Sequence, residues 1–252
     1  MHVAPIDLNS MLIIFAAGLW AGTQNTLAGG GSFITFPALL LVGLNPLAAN
    51  MTSTIALFPM QITAALAGRS LLTDVGPVRF RHIFIVSIIG GIGGAFLLLN
   101  TPVSVFAHLV PWLVLFATSV FAWGSFRKKP LQATGHTPPW ILLGAQALIA
   151  VYGGYFGGGI GFLMLAALTM AGVAIRGAAA NKNFLAMAMN ASAVAIFAFS
   201  SQINWWAVLA LGAGGIGGGV IGGYLMHRVS EKGLRTFVVI VGGVLSIWLF
   251  VR

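Results

Sequence analysis

Two runs of three glycines interrupt apolar segments of this chain: Gly29, Gly30 and Gly31 in "TLAGGGSFITFP", and Gly157, Gly158 and Gly159 in "FGGGIGF". The first N–H groups of a helix have no partner inside it. A helix that opens at such a run therefore presents unpaired donors and the positive end of its dipole, which together make a site for an anion. Glycine suits that site because a side chain would block close approach and restrict the turn. Polar side chains gather near both runs. Gln24, Asn25 and Thr26 precede the first and Ser32 follows it, while Tyr152 and Tyr155 precede the second. The next long apolar segments bring Asn50, Thr52 and Ser53 in one case, and Asn181, Lys182, Asn183 and Asn190 in the other.

Each of these residues has a bland alternative. The glycines also serve as close-packing hinges, and a membrane asparagine commonly makes a helix–helix hydrogen bond. Asn50 and Asn181 are the strongest side-chain candidates for a ligand role. They end two copies of "AAN", at 48–50 and 179–181, and would face each other across a pseudo-two-fold axis. Lys182 is the one charge inside an expected crossing, and a charge there is a functional candidate because its burial is expensive. Its alternative is snorkelling, since it lies about one and a half turns from a helix end. The substrate-binding set is thus Gly29, Gly30, Gly31, Ser32, Asn50, Thr52, Gly157, Gly158, Gly159, Asn181 and Lys182.

The elements that must position this set are membrane helices. Of 252 residues, 59% are hydrophobic and 6% charged. No charged residue lies between Asp7 and Arg69, and similar runs separate His82 from Arg127, Lys129 from Arg176, and Lys182 from Arg228. A crossing takes about 20 apolar residues, so each run holds two or more elements. Apolar segments bounded by turn or charge signals predict helices at 11–27, 32–43, 47–67, 80–99 and 104–125. A second set follows at 139–156, 160–172, 177–199, 204–226 and 232–251. The two sets share one rhythm and align once one residue is inserted after the glycine runs and two more before "AAN". The glycine runs match, then Phe33, Ala38, Leu39 and Gly43 match Phe162, Ala167, Leu168 and Gly172, then the "AAN" pair, then "GGIGG" at 90–94 and 214–218. Matches in one order indicate a duplication. The close-set glycines of the "GGIGG" stretches are assigned to helix packing.

Basic residues orient the halves. Ten of the twelve fall at Arg69, Arg79 and Arg81; Arg127, Lys128 and Lys129; Arg176; and Arg228, Lys232 and Arg235, all expected on the cytoplasmic side. The segments 32–43 and 160–172 then belong to hairpins that return to the side they left. At about 1.5 Å per residue they measure roughly 18–20 Å, too short to span. The expected fold is all-α and polytopic, in two inverted-topology repeats, each a glycine-broken helical hairpin plus three transmembrane helices. The first repeat is 1–126, the linker 127–138 is cytoplasmic, and the second repeat is 139–252. Both termini are expected on the periplasmic side, and the glycine tips at about the bilayer midplane. Irregular backbone at that depth is tolerated where it lines a cavity.

The same composition excludes other classes. With no cysteine, three acidic residues and five scattered histidines, no metal site or carboxylate relay is available, and neither a metal nor a cofactor is expected. A membrane enzyme would need a nucleophile or carboxylate pair, so the chain is read as a non-enzyme. The net charge of +9 belongs to short loops rather than to a nucleic-acid surface. A cleaved signal peptide is not expected, since only His2 precedes the first apolar stretch. Any coupled proton would ride on the substrate, on Lys182 or on a histidine.

Two matched halves with these features resemble the TauE/SafE group of membrane permeases, the sulfite exporters. The likeness is carried by "TLAGGGSFITFPALLLVGLNPLAANMTS" and "FGGGIGFLMLAALTMAGVAIRGAAANKNFLAMAMN" and covers about residues 11–251. It implies a secondary transporter in the bacterial inner membrane for a small sulfur-containing oxyanion or organosulfonate, such as sulfite or sulfoacetate. Alternating access and export are the expected mode. A passive anion channel and an importer of another small organic anion are the alternatives. The partners are the anion and the bilayer; a homodimer is the oligomeric form left open.

Overall fold

The computed structural model describes residues 7–27, 30–126, 138–225 and 231–251. Gly29, and all of the expected linker but Pro138, lie outside the described residues. Ten α-helices and no β-strand occur among those described: α1 (Leu8–Leu27), α2 (Ser32–Leu41), α3 (Pro46–Ala67), α4 (Phe80–Leu99), α5 (Val103–Phe126), α6 (Pro139–Tyr155), α7 (Ile160–Met170), α8 (Ile175–Phe197), α9 (Trp205–Leu225) and α10 (Glu231–Val251). Each lies within three residues of its sequence expectation. By length and composition alone, α4, α5, α9 and most of α10 are long and apolar enough to cross a membrane. The protein is an all-α membrane protein.

Local chemistry accounts for the helix ends. Asn45 caps α3 by accepting the Ala48 N–H at 2.9 Å, and Pro46 takes the first helical position, where its missing donor costs nothing. The short helices α2 and α7 stop in the same way. Gly43 and Gly172 adopt φ of +90° and +87°, and the following residues, Leu44 and Val173, return N–H bonds of 3.1 Å to Leu39 and Leu168. That is a left-handed glycine cap, and it appears at matched positions. With 10 and 11 residues, α2 and α7 extend only about 15–17 Å.

The main helix pairings come in exchanged pairs. α1 packs on α9 as α6 packs on α4; α3 meets α9 as α8 meets α4; α2 meets α10 as α7 meets α5; α3 meets α8 and α5 meets α10. Shifting each label by five helices leaves this pattern unchanged. The two hairpin seams are built from glycine. On α9, a Cβ at Gly214 or Gly218 would overlap the backbone carbonyls of Phe15 or Leu19, and on α4 a Cβ at Gly94 would overlap Val151 O. Lipid gives helices no hydrophobic reason to associate, so close backbone approach supplies the dispersion contacts instead. A shared Thr23 hydroxyl bond to Gly218 O at 2.9 Å links one seam, and a buried Gln146 Nε2 bond to Ser87 Oγ at 2.8 Å links the other.

The α4–α6 seam runs as far as the turn after α6. Gly94, which packs on Gly154 and Tyr155, is the fifteenth of the twenty residues of α4. The second glycine turn thus lies past the midpoint of α4 along the seam. Both turns nonetheless meet: Phe121 of α5 packs its ring between Phe33 of α2 at 5.7 Å and Phe162 of α7 at 4.4 Å.

Candidate functional site

The second glycine run makes a turn that leaves donors over. The Tyr152 carbonyl, in the last turn of α6, accepts both Phe156 N–H at 2.9 Å and Gly157 N–H at 3.2 Å. The chain then takes φ of +80° at Gly157 and +73° at Gly159, a region open to glycine at little cost. At Gly159 a Cβ would also stand 3.1 Å from Ala117 O. The ladder of α7 begins only with Phe162 N–H to Gly159 O at 3.0 Å. The N–H groups of Gly158, Gly159, Ile160 and Gly161 consequently have no acceptor among the described residues.

Lys182 of α8 lies beside this cluster. Its Nζ is 3.9 Å, and its Cδ 3.6 Å, from the place a Cβ on Gly161 would occupy. No described residue offers it a hydrogen bond or an ion pair. A cation next to four unpaired amides concentrates positive potential where the water-poor interior screens it least.

Beside the first glycine run, the described amides from Gly31 to Thr35 are mostly satisfied. Gly30 has φ of +85°, and the Gly31 N–H reaches Asn25 Oδ1 at 3.4 Å. Phe33, Ile34 and Thr35 donate to Gly30 or Gly31 carbonyls, so from Gly31 to Thr35 only the Ser32 N–H lacks an acceptor. The two turns match in sequence and differ in what they leave for a ligand.

One cavity of about 1120 Å³ touches both turns. Gly30, Gly31 and Ser32 line it, as do Gly157, Gly158 and Gly159, together with Asn50 and Lys182. Asn25, Thr26, Ser53, Asn183 and Asn190 lie in its wall as well. Asn190 Nδ2 donates to Gln61 Oε1 at 2.7 Å, which ties α8 to α3 across the wall. Asn50 Nδ2 donates to the Tyr155 carbonyl at 3.0 Å and so fixes the end of α6 to α3. At one end of the cavity Phe36 and Phe156 meet edge to face at 5.8 Å, and α3 is buried there from Leu47 to Ser53. Towards the other end Thr63, Ala64 and Ala67 of α3 are exposed.

Two candidates lie away from this cavity. Thr52 is fully buried, and its hydroxyl has no partner among the described residues. Asn181 is also fully buried, and its amide is taken up by Thr73: it accepts the Thr73 N–H at 3.1 Å and donates to the Thr73 carbonyl at 2.7 Å. Asn50 and Asn181 therefore do not face each other. The connection from α3 to α4, residues 68–79, is longer than its counterpart between α8 and α9, and its extra chain covers Asn181. Gln24 bonds the Leu234 carbonyl at 3.4 Å, and Tyr155 turns its hydroxyl to Thr101 Oγ1 at 3.4 Å.

Other lining residues had no sequence signal. Arg235, read from sequence as a loop base, stands in the cavity wall with Nη1 on the Ser125 carbonyl at 3.2 Å. Gln61 and the rings of Phe36, Phe156 and Phe162 also belong to the wall. Among the described residues no group of histidine and carboxylate side chains converges as a metal site.

A bundle of apolar helices around a cavity that carries basic side chains and bare amides is built to take a polar solute through a membrane, and the chain falls in the class of membrane transporters. It belongs to the sulfite exporter TauE/SafE family, whose pattern matches residues 14–249. It is 30% identical over 242 residues to the probable membrane transporter protein ORF9 of Sinorhizobium sp, covering 94% of this chain and 91% of the relative. A probable membrane transporter protein of Haemophilus influenzae is 28% identical over 246 residues, with 93% and 92% covered. The probable membrane transporter protein YfcA of Escherichia coli K12 is 25% identical over 247 residues, with 97% and 90% covered. No solved structure matches the chain.

Proposed function

We propose that this transporter carries a small sulfur-containing oxyanion or organosulfonate out across the bacterial inner membrane by alternating access. The observation that carries the reading is the cluster of four unpaired amides, from Gly158 to Gly161, with Lys182 beside it in a cavity touched by both glycine turns. An oxyanion has acceptors on every side and satisfies several such donors at once, with charge-assisted hydrogen bonds that are stronger than neutral ones. Ser32 and Asn50 would complete its surroundings from the first half. The family's description as sulfite exporters supports both the substrate class and the direction.

The exchanged helix pairings support a repeat of five helices, and the basic residues of the loops support an inverted orientation with both termini on the periplasmic side. In that orientation the exposed Thr63, Ala64 and Ala67 end would face the cytoplasm and the Phe36–Phe156 pair would lie on the outer side, an arrangement that supports a carrier over a passive channel. The test is counterflow in proteoliposomes: vesicles loaded with unlabelled sulfite or sulfoacetate should accumulate the labelled anion transiently. Flux without counterflow would make the protein a channel, and no saturable flux of any sulfur oxyanion would remove the reading.

A further inference from the structure

We infer that Tyr152 is a positioning residue for the anion site, setting through its hydroxyl which way the Gly158–Gly159 peptide faces. The inference rests on the anion-site reading above. Tyr152 is not among the cavity-lining residues, yet its hydroxyl donates to the Gly158 carbonyl at 2.8 Å, from behind the turn whose residues do line the cavity. Its ring is held edge-on against Phe116, with centroids 5.5 Å apart, and tilted on Phe156 at 6.3 Å. The hydroxyl therefore has little freedom to follow a moving carbonyl.

A peptide unit is planar and trans, so its C=O and N–H point in opposite directions. With the Gly158 oxygen drawn to Tyr152, the Gly159 N–H points away from Tyr152 and stays available, as its lack of an acceptor shows. Reversing this peptide requires rotation only about the bonds on its two sides, and both neighbouring residues are glycine. Glycine populates positive and negative φ about equally, so the turn by itself has no strong preference between the two orientations. In the reversed one a carbonyl dipole would replace a donor in the cluster and repel an anion. Three glycines give the turn its close approach to a ligand, and the Tyr152 hydroxyl supplies the direction they lack. At the first turn the described contact is of another kind: Asn25 takes up the Gly31 N–H directly.

The experiment compares Tyr152→Phe with wild type and Lys182→Met in proteoliposomes, reading KM and Vmax for sulfite and sulfoacetate separately. Loss of one neutral hydrogen bond that biases the peptide predicts a KM raised about fivefold to tenfold for both anions, with Vmax within about twofold. Placing p-aminophenylalanine at 152 restores a donor and should return KM towards wild type, whereas p-methylphenylalanine, of similar size without one, should not. An unchanged KM in Tyr152→Phe, or a fall in Vmax alone, overturns the inference. Should Tyr152→Phe not insert, equal KM values for the amino and methyl variants overturn it instead. Absence of saturable transport by the wild type, or no effect of Lys182→Met, would point to failure of the anion-site reading itself rather than of the role given to Tyr152.

Discussion

Lys182 lies over Gly161: its Nζ stands 3.9 Å from where a side chain on that glycine would begin, in the first turn of α7. The two residues come from neighbouring helices, and the absence of a side chain on one leaves room for the charge of the other.

Removing that charge should weaken binding more than folding. A hydrogen bond to a charged group contributes about 1.5–3 kcal/mol, so Lys182→Met should raise KM for the transported anion by about 10–100-fold. Saturation curves in proteoliposomes measure it, and a wild-type KM in the variant would take Lys182 out of the site.

Gly159→Ala tests the turn itself. The native φ of +73° costs a residue with a Cβ about 1–2 kcal/mol, and the new methyl would press on Ala117 O. Both thermal midpoint and anion affinity should fall, while Gly93→Ala, inside α4 with nothing within 4 Å of its Cβ, should lower neither.

Asn181→Ala should behave as a structural change. It removes two hydrogen bonds between a buried amide and Thr73, which is exposed and can turn its N–H and C=O to water, so the loss should be about 0.5–1.5 kcal/mol for each bond. Thermal unfolding in detergent should show the loss, with KM near wild type in the folded fraction; a KM raised as far as in Lys182→Met would return Asn181 to the binding set.

The hairpin seams should be intolerant of side chains. Gly94→Leu and Gly218→Leu each place a branched side chain where a backbone carbonyl lies, so the helices must separate. Overpacking of this kind costs about 1–3 kcal/mol or more. Size-exclusion profiles and expression of folded protein should both collapse, in contrast to Gly223→Leu, where nothing lies within 4 Å of the Cβ.

The orientation predicts that a reporter active only outside the cytoplasm works when fused after Arg252. Activity of a cytoplasm-only reporter at the same place would overturn the count of crossings in each half.

Much of this architecture is written in short stretches of chain. Asn45 and Pro46 open α3, Gly43 and Gly172 close α2 and α7, and uncharged runs mark the apolar helices. Each depends on residues a few positions apart, whose backbone preferences and hydropathy act wherever the segment ends up. The caps at Gly43 and Gly172 were legible for the same reason, whereas the aligned Gly31 and Gly159 take φ of −54° and +73°. Which members of each matched pair remain free for a ligand was decided in the folded molecule. Asn50 and Asn181 have the same local sequence, yet one ties down Tyr155 at a separation of 105 residues and the other Thr73 at 108. Arg235 became part of a cavity wall because α10 packs on α5 and α2. The Gly159 N–H stayed bare among the described residues, while the aligned Gly31 N–H is taken up by Asn25, six residues back. Local sequence determines where a donor or a charge is placed along a helix; only packing between distant segments determines whether it is already satisfied, because a hydrogen-bond partner is selected by proximity in space.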